Sequence, residues 1–140
     1  PPADPRELLG PDYPRIAMGN PATAPVGRYA RRGLELLELY ARLEPRLVLA
    51  ENARQVLEYV ARGEVAAGLL YLSDASVLAD RVVVGPELPI DPRKPIRYQA
   101  AVVSGGGEAG AAGEFLDLIV SPDGQAILER HGFIPWHSTR

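Results

Sequence analysis

Short apolar runs alternate with amphipathic stretches along most of this 140-residue chain. Residues 15–19, Arg-Ile-Ala-Met-Gly, are an apolar run closed by Asn20-Pro21, which predicts a buried strand ending in a loop. From Gly27 to Leu43, the residues Tyr29, Gly33, Leu36, Leu37, Tyr40 and Leu43 recur at spacings of three and four. That stripe predicts one amphipathic helix, with Arg31, Glu35, Glu38 and Arg42 largely on its other face. Residues 46–50 repeat the strand pattern, Asn52 is a good N-cap for a helix reaching Arg62, and Gly63 suits the C′ position. The unbroken apolar run 65–71 predicts a strand buried on both faces. Ser73-Asp74 can cap a short helix through Leu78, residues 81–85 read as a fourth strand, and residues 96–103 as a longer one. Helices are expected around 113–120 and again from Ser121, where an N-cap serine precedes a proline. Strands alternating with helices predict an α/β fold with a mainly parallel sheet flanked by helices.

Composition adds loops to this picture. Gly 14 and Pro 14 occur without a period, which fits many tight connections between short elements. Five prolines among residues 1–14 predict a lead-in with little regular structure, and Pro86, Pro89, Pro92 and Pro95 predict a loop or extended crossover. A net charge of −3 supplies no basic field, so nucleic acid is not an expected partner. The absence of cysteine removes disulfides, thiolate metal sites and a Cys nucleophile. Apolar runs stay far below the roughly 20 residues a spanning helix needs, so no membrane insertion is expected.

Few residues suggest catalysis. His131 and His137 are six apart, off any one helical face, and no carboxylates join them at a metal-site spacing, so no direct cation ligands are assigned. Gly105-Gly106-Gly107 lacks the Lys-Ser/Thr that a phosphate loop requires and reads as a flexible turn. No serine sits in a nucleophile elbow.

The informative features are two strand-to-helix junctions, one running from Met18 to Gly27 and one from Ala50 to Ala53. In a parallel sheet both lie at the carboxyl ends of strands, where helix N-termini aim unpaired N–H groups at a crevice and bind anions without charged side chains. Tyr71 ends the next predicted strand and would bring a phenolic donor to the same edge. Such junctions also belong to every doubly wound sheet, and Tyr71 equally reads as a packing residue.

At these positions the sequence resembles the periplasmic molybdate-binding proteins of bacterial ABC transporters. The resemblance is carried by Arg15 to Pro21, Ala24 to Ala30, Leu49 to Ala53, Ala67 to Tyr71 and Ser73 to Ala75. It continues through Tyr98 to Val103, Phe115 to Asp117, Ser121 to Ala126 and Gly132-Phe133. It implies a type II periplasmic-binding-protein fold, two α/β lobes joined by crossover strands, with an oxyanion held between them. Carried over by position, the ligand-binding residues are Val26 and Ala53 through backbone N–H groups and Tyr71 through its hydroxyl. The family commonly has alanine and valine at the first two positions; since the contacts come from the backbone, the exchange alters pocket lining more than donor count. The family's first lobe would precede residue 1, so this chain is expected to match the second lobe. On that expectation residues 1–14 are a lead-in or crossover, 15–95 an anion-binding lobe, and 96–140 a return strand with C-terminal helices that pack on the first lobe.

The resemblance implies a solute-binding component of an ABC importer with molybdate or tungstate as ligand, no cofactor and no catalysis. It further implies a membrane permease as partner and a periplasmic or cell-envelope location. An oxyanion-sensing domain of a cytosolic transcription regulator is the alternative. A third reading, an enzyme acting on a phosphorylated or sulfated metabolite, would draw on Arg28, Glu51 and Asp74.

Overall fold

A computed structural model describes residues 1–136; His137 lies outside the described residues. The chain divides into two compact units, Pro1–Ile96 and Arg97–Arg140. In the first, β1 (Ile16–Gly19) is the central strand of a three-stranded parallel sheet, flanked by β2 (Leu47–Ala50) and β3 (Ala67–Leu69). All of β1 is buried, as a central parallel strand requires. The edge strand β3 is half-buried and shorter than the run 65–71 suggested, pairing with β1 along Ala67–Leu69.

Alternate residues of β1 serve different cores. Ile16 packs with Leu8, Leu34, Leu39 and Leu43, whereas Ala17 packs with Ala50, Val56 and Val65. Neighbouring strand residues point to opposite faces. Helix α1 (Pro25–Leu36), which carries Leu34, and helix α3 (Ala53–Ala61), which carries Val56, therefore cover opposite faces of the sheet. The α/β class with a parallel sheet flanked by helices is thus the observed one.

The helix expected to run unbroken to Leu43 ends instead at Leu36. Glu38 takes φ 58, the Glu38 N–H donates to Glu35 O at 3.0 Å and the Leu39 N–H to Leu34 O at 2.8 Å. This is a Schellman cap with glutamate where glycine is usual. It returns Leu39 to the core beside Leu34 and leads into α2 (Tyr40–Leu43). Helix α3 closes the same way with the expected residue, Gly63 at φ 70, the Glu64 N–H reaching Tyr59 O at 2.9 Å.

Two further expectations fail. Residues 81–85 and 96–103 form no strand among the described residues. A strand exists only where a neighbour accepts its ladder hydrogen bonds, and the sheet ends at β3; Val83 and Val103 are both 77% exposed. Residues 86–93 instead lie along α1. Leu88 packs against the first core, the Leu88 Cβ and Pro89 O stand so near Gly33 that a Cβ there would clash, and the buried Asp91 bonds Arg32 and Arg93.

The second unit contains α5 (Ala109–Val120) and α6 (Pro122–Arg130). Ser121 caps α6 as expected, its Oγ accepting from the Gly124 N–H at 3.1 Å with Pro122 at the first helical position. Gly124 is obligatory because a Cβ there would strike the Leu118 carbonyl. The Tyr98 ring meets Phe133 edge to face at 5.4 Å.

The Arg32–Asp91–Arg93 cluster makes stability pH-dependent. Hydrogen bonds from the Arg93 side chain and N–H, and then from Arg32, hold the Asp91 carboxyl well below the usual carboxylate range. A depressed folded-state pKa stabilises above the unfolded value and is lost as pH falls through it. The urea midpoint should therefore drop on acidification below about pH 4, and Asp91→Asn should lower the midpoint at neutral pH while flattening that acid limb.

Candidate oxyanion site at the carboxyl edge of the sheet

The ends of β1 and β2 are level: Gly19 pairs with Ala50, and the Asn20 N–H donates to Ala50 O at 2.7 Å. Counting on from Met18 opposite Leu69 places Tyr71 opposite Asn20. One residue past the ends of β1 and β2 and two past the end of β3, Glu51, Asn20 and Tyr71 thus form a row, and α1 and α3 begin beside it.

The start of α1 is fixed by its loop and by two glycines. Asn20 accepts the Ala22 N–H through Oδ1 at 2.9 Å and the Ala24 N–H through its carbonyl at 2.8 Å, winding the loop tightly. A Cβ on Gly27 would fall inside the Gly19 carbonyl, and one on Gly19 would stand 2.6 Å from Val26 Cγ1. Only glycine at both positions allows the helix to start against the end of the strand. Pro25 occupies the first helical position and has no N–H, while the Gly27 and Arg28 N–H groups both return to Ala24 O at 3.1 and 3.2 Å. Among the described residues, the Val26 N–H is the one donor of this turn with no acceptor, on a residue only 4% exposed.

At α3 the cap is side-chain built. Asn52 Oδ1 accepts the Gln55 N–H at 2.9 Å, and Gln55 Oε1 accepts the Glu51 N–H at 2.7 Å. This reciprocal pair resembles a capping box. It leaves the N–H groups of Ala53 and Arg54 without acceptors among the described residues.

Tyr71 is the N-cap residue of α4 (Leu72–Ala75), a position expected for Ser73-Asp74, which lie inside the helix instead; a 3-10 turn, Ser76–Leu78, follows. The Asp74 N–H donates to Tyr71 O at 3.1 Å. Partial burial raises the Asp74 carboxyl pKa, and the hydrogen bond from the Tyr71 backbone N–H offsets part of that rise. The Tyr71 ring meets Tyr29 of α1 edge to face, centroids 6.4 Å apart.

Val26, Ala53 and Tyr71 thus stand at one edge of the sheet, each at the start of a helix. Glu51 is exposed there and Arg28 is exposed on α1, while His131 is the C-cap residue of α6 in the second unit. Among the described residues no His, Cys, Asp or Glu cluster is arranged to hold a metal ion. Sequence reasoning missed Tyr29, which the helical stripe marked only as a core residue, and Gln55, whose signal was its place three residues after Asn52.

A family model for bacterial extracellular solute-binding proteins matches residues 1–134. The chain belongs to that family. It is 37% identical over 119 residues to the molybdate-binding protein ModA of Escherichia coli (strain K12), covering 85% of this chain and 46% of that protein. It is 33% identical over 119 residues to an ABC transporter substrate-binding lipoprotein of Bacillus subtilis (strain 168), covering 85% and 45%. Among solved structures, a substrate-binding domain assigned to a molybdenum ABC transporter of Clostridium difficile superposes with a TM-score of 0.79 at 29% identity, covering 97% of this chain and 59% of that one. The chain therefore spans about half the length of the curated relatives it matches. The resemblance to periplasmic molybdate-binding proteins holds, these relatives are binding proteins rather than enzymes, and none of those quoted is a regulator. No helix among the described residues is long and apolar enough to cross a membrane.

The Gly19–Gly27 approach is directly testable. Gly27→Ala must push α1 away from the strand end, and the overpacking should lower unfolding free energy by about 1–3 kcal/mol in urea melts; an unchanged midpoint would show that the close approach is not needed.

Proposed function

We propose that this chain is an oxyanion-holding part of a solute-binding protein that serves an ABC importer. Molybdate or tungstate is its ligand, bound by the N–H groups of Val26 and Ala53 and the hydroxyl of Tyr71. In this reading residues 15–95 form the anion-binding lobe, 1–14 lead into it, and 96–140 form the return segment and C-terminal helices. The partner is a membrane permease, the location is the periplasm or cell-envelope exterior, and neither cofactor nor catalysis is involved.

One observation carries this reading: two helix starts present N–H groups without acceptors among the described residues, at the strand edge where Tyr71 also stands. Helix N-termini favour anions through these donors and through the macrodipole. A cradle of N–H and O–H donors also selects by protonation state. A fully deprotonated tetrahedral dianion offers only acceptors, whereas a protonated anion turns an O–H toward a donor. Molybdate and tungstate are favoured over phosphate on that ground, and cradle size separates them from the smaller sulfate.

The donor assignment is tested by calorimetry with molybdate. Ala53 is the first residue of α3 and follows an extended residue, Asn52 at φ −155 and ψ 172. Proline fits such a position without breaking the helix. Ala53→Pro should therefore fold normally yet lose the donor and bind much more weakly than Ala53→Val. Tyr71→Phe should cost about 1.5–3 kcal/mol of binding, as for a hydrogen bond to a charged group. Equal affinities for Ala53→Pro and Ala53→Val, or an unaffected Tyr71→Phe, would remove that residue from the site.

A further inference from the structure

We propose that Tyr29 is a positioning residue for Tyr71, and that through Tyr71 it sets the width of the anion cradle. This inference rests on the reading above, in which the Tyr71 hydroxyl is a ligand donor. Tyr29 lies three residues after Val26 on α1, so the two share one face of that helix. Its ring meets the Tyr71 ring edge to face at 6.4 Å with planes inclined by 61°, and both side chains are half-buried. An aromatic edge directed at a ring face is an attractive and directional contact.

Tyr71 is thereby held at both ends. Its backbone is fixed by the exchange with Asp74, and its ring by a residue on the same rigid helix that presents the Val26 N–H. The hydroxyl sits at the far end of the side chain, so a small change in χ1 displaces it considerably. Without Tyr29 the ring could follow an anion of different size; with Tyr29 its distance from the start of α1 is set. Tyr29 therefore acts on selectivity between large and small tetrahedral dianions as well as on affinity, without touching the ligand.

The test is a double-mutant cycle on the full chain, with NMR titration against molybdate and against sulfate, and with Tyr71 ring-proton shifts recorded before ligand is added. Tyr29→Phe preserves the ring and should keep wild-type affinity and Tyr71 shifts. Tyr29→Leu should lose the ring-current shift at Tyr71, weaken molybdate by about 2- to 12-fold, weaken sulfate less, and so narrow the ratio between them. In a Tyr71→Phe background, where no hydroxyl remains to be positioned, the same Tyr29→Leu change should have little effect on affinity. An equal loss in both backgrounds, or no loss in either, overturns the proposal. If Tyr71→Phe weakens molybdate and Tyr29→Leu does not, only the positioning role fails. If Tyr71→Phe itself is without effect, the assignment of Tyr71 as a donor fails and the positioning role falls with it.

Discussion

Everything at the candidate site depends on how closely a helix can be brought to the end of a strand. At Gly19 and Gly27 two backbones approach until neither position has room for a Cβ. That contact seats α1 against the carboxyl end of the central strand, and Pro25 then removes one N–H from its first turn while Ala24 O takes two others. Among the described residues the Val26 N–H is left without an acceptor, on a nearly buried residue. An unsatisfied buried donor costs free energy, and an acceptor from outside the protein is the natural remedy. The same economy operates at α3, where Asn52 Oδ1 accepts the Gln55 N–H and Gln55 Oε1 the Glu51 N–H, while the Ala53 and Arg54 N–H groups have no acceptor among the described residues.

Alternation along a single strand explains why two such helix starts converge. Ile16 belongs to one core and Ala17 to the other, so α1 and α3 must cover opposite faces of the sheet. Both enter from the carboxyl edge because the strands are parallel and the loops are short. β3 ends near that edge at Leu69, and two residues on Tyr71 caps α4, its ring resting against Tyr29 of the first helix. The donors therefore come from separate elements held by one small sheet, and none of them carries a net positive charge. In the proposed reading, selection among anions rests on shape and protonation rather than on attraction to charge.

What could be read from the sequence follows from how local each signal is. Asn52, Gly63 and Ser121-Pro122 marked helix ends correctly because a cap is decided within a few residues. Glu38 was misread as mid-helix. It lacks glycine's freedom to adopt a positive φ, and its conformation is imposed by the return of Leu39 to the core. The runs 81–85 and 96–103 have the composition of strands, but among the described residues no neighbour continues the ladder beyond β3. The edge occupied by Val26, Ala53 and Tyr71 was legible because alternating strands and helices dictate where helix N-termini gather. The Tyr29–Tyr71 contact, between residues 42 positions apart, left no sequence signal beyond two tyrosines.

In the proposed reading, backbone amides at two helix starts hold the anion. This is tested most directly by following the backbone amide resonances of the chain during separate titrations with molybdate and sulfate. Molybdate should produce the largest saturating shifts at the Val26 and Ala53 amides, and sulfate should perturb them weakly at the same concentration. Unmoved Val26 and Ala53 amides, or indistinguishable responses to the two anions, would contradict it.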